Sequence, residues 1–254
     1  MRTKELIRTF LFMIGNLLHH NKRSKIIYYH DFFDGKSYTD MATPLSLFKQ
    51  HLVVAKRLGY KVVDKITRPE GELAIMLDDG FRGIWDCREF FFSENIHPTI
   101  FIAKSLVGQE GYLTEEEIKE LASKGWNFQS HTVSHTGLND FSMDDLDYEL
   151  KESKAYLENL LGKRIDAICA PQGKYSNWVC EHAYRAGYDL FYSSTPGDYF
   201  ERLTDFSFVL TRNLCQSLTP YQFKLAINGG YKIFQRVYFK RRYKTLNIVK
   251  NECN

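Results

Sequence analysis

The chain has 254 residues, of which 44% are hydrophobic and 26% are charged, and its formal net charge is +3. This length and apolar content suit one domain with a substantial core, and no internal repeat or low-complexity tract interrupts it. The five cysteines are odd in number and form no CxxC pair, which argues against a disulfide-bonded secreted domain. We therefore expect reduced thiols and a cytoplasmic protein.

Residues 1–25 form a basic amphipathic segment with a net charge of +5. Apolar residues recur at helical spacing from Leu6 to Leu18, and lysines and arginines flank them. The central apolar stretch, residues 10–18, is too short for a bilayer span. A signal peptide is an alternative, but no convincing small-residue cleavage site precedes the histidine pair at 19–20.

Between residues 26 and 218, apolar runs that predict strands alternate with helical patterns. The predicted strands are 25–29, 73–77, 99–103, 126–129, 165–169, 189–192 and 208–211. Thr114 and Glu117 form a capping box before one helix, and Ser142 begins another that runs towards Gly162. Alternation of strand and helix predicts a parallel sheet, with functional residues at the carboxyl ends of its strands.

The second of these strands ends in two adjacent carboxylates, Asp78 and Asp79, which Gly80 follows. Successive side chains at a strand end point to different sides, so the two carboxylates can hold different roles. One can bind a cation while the other accepts a proton from a nearby water. Gly80 provides the backbone freedom for a sharp turn beside a ligand.

The fourth strand also ends in a polar motif, in which His131 and His135 are four residues apart. If this stretch forms one helical turn, both imidazoles lie on the same face and can bind one ion. Either motif alone is more often a surface feature, but their joint occurrence at strand ends indicates a hydrolytic metal site with open coordination positions. Two histidines and one carboxylate suit zinc, iron, cobalt or nickel, and we expect one divalent ion, with zinc the first choice.

A third strand, at 165–169, runs into a loop that contains Pro171, Gln172 and Gly173. With these motifs, the chain from about residue 26 to residue 214 resembles the polysaccharide deacetylase family, the carbohydrate esterases with a NodB-like domain. The resemblance implies an α/β fold, namely a distorted (β/α) barrel of about seven parallel strands. It also implies a metal-dependent hydrolase that removes N-acetyl groups from amino sugars.

The resemblance further implies roles for individual residues. Asp79, His131 and His135 match the metal ligands of the family, and Asp78 matches its general base. The backbone N–H of Gln172 matches its oxyanion donor.

The first strand carries a finer resemblance, because residues 28–31, Tyr-Tyr-His-Asp, are similar to a segment of biofilm-matrix deacetylases that act on poly-N-acetylglucosamine. Two features of the family are missing. The arginine of the third motif is replaced by Cys169 or Ala170, and the Leu-x-His motif has no counterpart in residues 208–214. His30, which stands at the end of the first strand, is therefore our candidate for the proton donor. Cys169 itself is expected to be a small apolar strand residue.

Residues 219–254 form a second basic segment, in which aromatic residues alternate with lysines and arginines for a net charge of +7. Both ends thus suit peripheral binding to an anionic membrane, such as the inner face of the cytoplasmic membrane. Two helices that pack on the barrel with solvated outer faces are an equally good alternative. Residues 26–218 carry a net charge of −9, which argues against nucleic-acid binding.

The sequence thus predicts a metal-dependent N-deacetylase that acts on an amino sugar in a polysaccharide, an oligosaccharide or a glycan precursor. Two alternatives stay open. The missing motifs suggest a catalytically silent carbohydrate-binding relative. The basic ends favour a deacetylase of a lipid-linked or small-molecule amide.

Overall fold

The computed structural model describes residues 2–244. In chain order its strands are β1 Lys25–Tyr29, β2 Asp31–Phe33, β3 Ala42–Pro44, β4 Lys61–Val62, β5 Glu72–Leu77, β6 Thr99–Ile102, β7 Asn127–Ser130, β8 Ala167–Cys169, β9 Tyr175–Ser176, β10 Leu190–Tyr192, β11 Val209–Leu210, β12 Asn213–Leu214 and β13 Tyr243–Lys244. The helices are α1 Arg2–His19, α2 Leu45–Arg57, α3 Gly83–Asp86, α4 Arg88–Ser93, α5 Glu115–Ser123, α6 Met143–Leu161, α7 Asn177–Arg185, α8 Pro220–Leu225 and α9 Lys232–Arg242, and a π-helical turn, Ala226–Gly230, joins α8 to α9.

A nine-stranded parallel sheet organises the molecule. Its strand order is β11-β10-β8-β7-β6-β5-β1-β12, and β4 adds to β5. All seven predicted strands are present, within two residues of their predicted bounds, and β4 and β12 are additional. The predicted α/β fold with a curled parallel sheet is confirmed.

The curl of the sheet follows from its connectivity. Strands β11 and β12 stand at opposite ends of the strand order, yet only Thr211 and Arg212 separate them in the chain. So short a link spans on the order of 10 Å, and the two edges of the sheet must therefore approach each other. Arg212 enters the interior of the curl at this junction, where it is fully buried.

Side chains alternate between the two faces of each strand. Tyr28, Met76 and Phe101 pack in a cluster formed by strand residues inside the curl. Tyr29 and Leu77 belong to the larger core between the sheet and its helices. The same alternation, continued past the ends of β1 and β5, directs positions 30 and 78 towards the interior.

The predicted helix starts are confirmed by their capping bonds. At the start of α5, Thr114 Oγ1 accepts a hydrogen bond from Glu117 N, and Glu117 Oε2 accepts one from Thr114 N. At the start of α6, Ser142 Oγ accepts one from Asp145 N. The left-handed Gly162, with φ of 64°, ends α6 as predicted.

The inner face of α1 packs on the C-terminal elements. The buried ring of Phe12 lies 5.0 Å from the ring of Tyr231 and 5.4 Å from that of Phe234, measured between centroids. The backbones also approach closely here, since a Cβ at Gly15 would lie 2.4 Å from the carbonyl oxygen of Gly230. Helix α1 is therefore part of the folded body rather than a separate appendage.

The outer face of α1 remains apolar and exposed. The side chains of Leu6, Phe10, Leu17 and Leu18 are more than half exposed. Packing on the barrel is thus confirmed for the inner face of α1, whereas membrane binding by the outer face stays a prediction. Among residues 2–244, no helix combines the length and apolar character that crossing a membrane requires.

Candidate metal centre

Three of the predicted site residues meet at the carboxyl edge of the sheet. Asp79 Oδ1 lies 3.2 Å from His131 Nε2 and 2.9 Å from His135 Nε2. One ligand atom from each of the three side chains lies within 4.8 Å of the others. Asp79 and His131 are buried, whereas the side chain of His135 is one-third exposed. The cluster is therefore open to the outside on the His135 side.

A strained loop positions the histidine pair. The prediction of a helical turn at residues 131–135 is wrong. Thr132 and His135 adopt left-handed conformations, with φ of 72° and 57°. Such backbone costs on the order of 1–3 kcal/mol per residue and persists only where the surroundings enforce it. Here Thr132 Oγ1 accepts a hydrogen bond from His135 N, and the buried carboxylate of Glu149 accepts bonds from Val133 N and Ser134 N at 2.8 and 2.9 Å.

The two neighbouring aspartates separate because the backbone turns between them. Asp79 is left-handed, with φ of 73°, and Gly80 follows with φ of 78°. A Cβ at Gly80 would lie 2.7 Å from Ile102 Cδ1, so a larger residue would be both strained and crowded. The sharp turn predicted at Gly80 is confirmed.

The donor set fits a divalent ion. His131 Nδ1 lies 2.8 Å from the carbonyl oxygen of Cys169, which can only accept, so Nδ1 donates and Nε2 is the ring nitrogen that faces Asp79 and could bind a cation. Within the described part of the chain, no well-formed hydrogen bond reaches the buried Asp79 Oδ1, although both imidazoles are near it. An unsatisfied carboxylate oxygen between two imidazole nitrogens is the arrangement that a bound cation would complete.

The electrostatics of this cluster favour an ionised carboxylate. Burial alone would raise the pKa of Asp79, but the two imidazoles outweigh it and hold the pKa well below its ordinary value. The contact with Asp79 in turn raises the pKa of His135. A cation at this position would likewise stabilise the ionised carboxylate of Asp79.

Asp78 is paired instead with a buried arginine. Arg212 Nη1 and Nη2 donate to the two oxygens of Asp78 at 2.6 and 2.8 Å, and Arg212 Nε donates to the carbonyl oxygen of Ser193 at 3.1 Å. Burial would raise the pKa of Asp78, but the charge of Arg212 more than offsets it, and the pKa is lowered. Asp78 therefore stays ionised. Each of its carboxylate oxygens keeps a second lone pair, which can accept a proton.

The sequence indicated that the arginine of the third motif is missing. Arg212 supplies a guanidinium to the site from a different part of the chain. It comes from the link between β11 and β12, and its guanidinium lies 4.2 Å from the centroid of the Tyr28 ring. Its Nη2 also lies 2.8 Å from Cys169 Sγ. The interpretation of Cys169 as a plain apolar strand residue is therefore wrong, because its sulfur contacts Arg212 and its carbonyl orients His131.

A second group of possible ligands, Asp78, His131 and Cys169, also lies within ligand distance of one another. Arg212 already binds both oxygens of Asp78 and the sulfur of Cys169. The set that contains Asp79 therefore fits a cation better than this one.

His30 stands at the end of β1 and is held by a partner that the sequence did not indicate. Its Nδ1 lies 2.6 Å from Gln216 Oε1, an acceptor, so Nδ1 carries a proton and Nε2 is the second ring nitrogen available. His30 is also among the groups that lower the pKa of Asp78, after Arg212 and His131. Asp31, which follows His30 in the chain, accepts a hydrogen bond from Gly83 N at 3.1 Å. His30 is thus paired with Gln216 rather than with its neighbour Asp31.

Gln172 lies in a tight turn, Pro171–Gly173, directly after β8. Its backbone is left-handed, with φ of 58° and ψ of 2°, and its side chain is exposed. The structure thus places Gln172 at the same edge of the sheet as the metal centre. Its role as an oxyanion donor stays a prediction.

The four cysteines in the described part of the chain, Cys87, Cys169, Cys180 and Cys215, are buried free thiols. Cys253 lies outside the described residues. The cytoplasmic location inferred from cysteine usage stays a prediction.

The family model for polysaccharide deacetylases matches residues 65–191, half of the chain. The chain belongs to the polysaccharide deacetylase family. The matched span includes both aspartates and both histidines of the site, but neither His30 nor Arg212. The family model therefore does not bear on the roles of His30 and Arg212.

The chain is also similar to individual proteins. The chain is 26% identical over 186 residues to Bacillus subtilis (strain 168) YxkH, whose name assigns it to the polysaccharide deacetylases, and the match covers 68% of this chain and 64% of YxkH. The deacetylase PplD of Streptococcus pyogenes, solved with acetate, superposes with a TM-score of 0.70 at 22% identity, over 81% of this chain and 98% of PplD. IcaB of Ammonifex degensii gives 0.69 at 17% identity, over 82% and 98%.

At these identities the two structures establish the fold alone. The similarity to IcaB is no greater than that to PplD. The comparisons therefore do not single out the biofilm-matrix branch that residues 28–31 favour.

We predict that His135→Ala removes most of the divalent metal that the purified protein retains, because one of three ligands is lost. Metal content per chain after exhaustive dialysis is the measurement. His20→Ala, which alters an exposed histidine away from the site, should keep the wild-type content. Equal metal content in wild type and His135→Ala would rule out this ligand set.

A second prediction concerns the buried ion pair. Arg212→Met leaves the carboxylate of Asp78 buried without its partner and should lower the free energy of unfolding by about 3–5 kcal/mol. The double variant Asp78→Asn, Arg212→Met removes the charge as well and should recover part of that loss. Urea unfolding measures both, and Arg68→Met, whose arginine side chain is 80% exposed, is the control. A single variant as stable as this control would show that Asp78 does not depend on Arg212.

Proposed function

We propose that this protein is a metal-dependent N-deacetylase that hydrolyses the acetamide of an amino sugar in a polysaccharide, an oligosaccharide or a glycan precursor. The observation that carries the proposal is the cluster of Asp79, His131 and His135 beside an ionised, buried Asp78. Membership of the family supports the reaction class. The first-strand resemblance favours poly-N-acetylglucosamine among possible substrates.

Asp79, His131 and His135 would hold the ion, for which we propose zinc. A divalent ion supplies Lewis acidity, which would lower the pKa of a bound water to roughly 7. The carbonyl of Cys169 keeps His131 in the tautomer that such a ligand needs. The exposed side of His135 is the side from which substrate would enter.

Asp78 acts as the general base and accepts the proton of the attacking water. Its pairing with Arg212 keeps it ionised in spite of burial, so it is in the accepting form at neutral pH. The same pairing makes it a weak base, and it therefore suits a water whose own pKa has been lowered.

The negative charge that develops on the acetamide oxygen needs donors, and the backbone N–H of Gln172 is our candidate. A preorganised donor of this kind is worth on the order of 3 kcal/mol. His30 then protonates the departing amine, without which the amide would re-form. Gln216 orients His30 by accepting from Nδ1, so the proton would leave from Nε2.

The alternative of a catalytically silent relative was based on two missing motifs. Arg212 provides a guanidinium at Asp78, and the pairing of His30 with Gln216 provides an oriented imidazole near it. Both observations support the active enzyme over the silent relative.

We also propose that the ends hold the enzyme at an anionic membrane surface, such as the inner face of the cytoplasmic membrane. The support is the exposed apolar face of α1 together with the basic side chains of both ends, among them Lys4 and Arg241. An anionic surface attracts each basic residue near it by about 1 kcal/mol.

Asp78→Asn should keep the metal and reduce acetate release about 100- to 10,000-fold, because an amide cannot accept the proton. It should also lower the free energy of unfolding, because Arg212 loses its counter-charge, so activity is compared at a temperature at which both proteins are folded. Acetate is measured on N-acetylglucosamine presented free, nucleotide-linked, lipid-linked and as poly-N-acetylglucosamine, with metal-loaded protein. Wild-type protein that releases no acetate from any of these would overturn the proposed function. Near-normal activity of Asp78→Asn with metal retained would place the base elsewhere.

His30→Ala should damage hydrolysis of an acetamide far more than that of an activated ester, because only the amine needs a proton to depart. The ratio of kcat/KM for the two substrates is the measurement. Gln216→Ala should also lower the ratio of acetamide to ester kcat/KM, but by a smaller factor. Equal losses on both substrates would indicate a binding or structural role for His30.

Membrane binding should need both anionic lipid and the exposed face of α1. Wild type should pellet with anionic liposomes at low salt and be released at high salt, since the attraction decays within about 8 Å at physiological ionic strength. Phe10→Gln with Leu17→Gln should weaken pelleting, whereas Val53→Gln, an exposed apolar position on α2, should not. No pelleting of wild type at low salt would leave packing on the barrel as the sole role of the ends.

A further inference from the structure

A mostly apolar pocket of about 300 Å³ lies between α1 and the C-terminal helices. Ile7, Leu11 and Phe12 of α1 line one wall, and Phe234 and Tyr238 of α9 line the other. The volume is at the lower end of the range of small-molecule sites, about 300–1,000 Å³. Neither terminal helix alone could form it, so the pocket depends on their packing against the barrel.

The base of this pocket is shared with the candidate catalytic site. Arg212 and Gln216 both line it. Arg212 donates to both oxygens of Asp78, and Gln216 accepts from Nδ1 of His30. The pocket and the catalytic groups therefore share these two side chains.

The pocket also has a cationic part. Lys4 and Arg8 are among its lining residues. Arg8 Nη2 donates to the carbonyl oxygen of Ser217 and to Gln222 Oε1, but the buried Arg8 Nε has no hydrogen-bond partner within residues 2–244. A buried cationic donor without an acceptor is costly, and an anionic oxygen in the pocket would satisfy it.

Resting on the proposed function, we infer that this pocket binds the aliphatic chain of an anionic lipid to which the amino sugar is attached. An apolar wall suits the chain, Arg8 and Lys4 suit a phosphate, and the shared base puts the sugar near Asp78 and His30. At about 30 Å³ for each water-sized group, the pocket holds about ten such groups, enough for a chain segment but not for a helix of a partner protein. The substrate class of the catalytic site is then a lipid-linked glycan precursor.

Binding is tested without any reaction, with dodecyl phosphate below its critical micelle concentration and inorganic phosphate as the comparison. Each buried methylene contributes roughly fourfold in affinity, so dodecyl phosphate should bind at least about tenfold more tightly in calorimetry. Ile7→Gln should weaken it severalfold, and Leu11→Gln about tenfold. Val53→Gln is the control, since Val53 is 49% exposed, Ile7 is 55% exposed and only Ile7 lines the pocket.

Activity is tested with metal-loaded protein on N-acetylglucosamine 1-phosphate and on its dodecyl ester. The ester should show at least about tenfold higher kcat/KM for acetate release, and Ile7→Gln should reduce this advantage while Val53→Gln keeps it. Because Ile7 is on the surface, its replacement tests the pocket even if Leu11→Gln fails to fold.

The outcomes separate the two proposals. Equal kcat/KM for both sugars, with no detectable binding of dodecyl phosphate, overturns the lipid-linked substrate and leaves the deacetylase in place. Binding of dodecyl phosphate that depends on Ile7, without acetate release from any sugar, overturns the proposed function and supports the chain-binding pocket. Equal binding by Ile7→Gln, Leu11→Gln and wild type would show that the chain binds elsewhere, which overturns this inference.

Discussion

The ion pair between Asp78 and Arg212 is the interaction on which the arrangement of this molecule depends. It joins the end of β5 to the short link between β11 and β12, the place where the two edges of the curled sheet meet. Two buried charges lose much of their hydration, which costs free energy. The bidentate hydrogen bonds, the carbonyl of Ser193 and the face of the Tyr28 ring offset that cost. The same ion pair thus links the two edges of the sheet and keeps the proposed base ionised.

Around this pair, the carboxyl edge of the sheet concentrates unfavourable backbone. Asp79, Thr132, His135 and Gln172 are all left-handed although none is glycine. Such strain persists where tertiary contacts enforce it, as the carboxylate of Glu149 does for the histidine loop. The strain turns Asp79 towards the two imidazoles while its neighbour Asp78 keeps its place beside Arg212. Two adjacent carboxylates thereby acquire different partners and different proposed roles.

The terminal helices belong to the same arrangement. Phe12 of α1 packs on Tyr231 and Phe234, and Gln222 at the start of α8 donates to Thr9 of α1. These contacts cover the closure of the sheet, and they create the apolar pocket beside Arg212. An amphipathic helix whose inner face is used in this way still has an apolar outer face, which explains why the sequence supported both barrel packing and a membrane surface.

The sequence by itself determined the strands, the capped helices and the candidate metal ligands as a group, because each depends on local spacing: alternation along a strand, a capping box, two aspartates after an apolar run, two histidines four apart. The tertiary structure alone decided the rest. Arg212 is 134 residues from Asp78, and only the curl of the sheet brings their side chains together. The histidine loop is not helical, because Val133 N and Ser134 N donate to Glu149 of α6, and Thr132 and His135 on either side of them are left-handed. Gln216 reaches His30 from 186 residues away. No local pattern encodes such partners, since their proximity arises from the path of the whole chain.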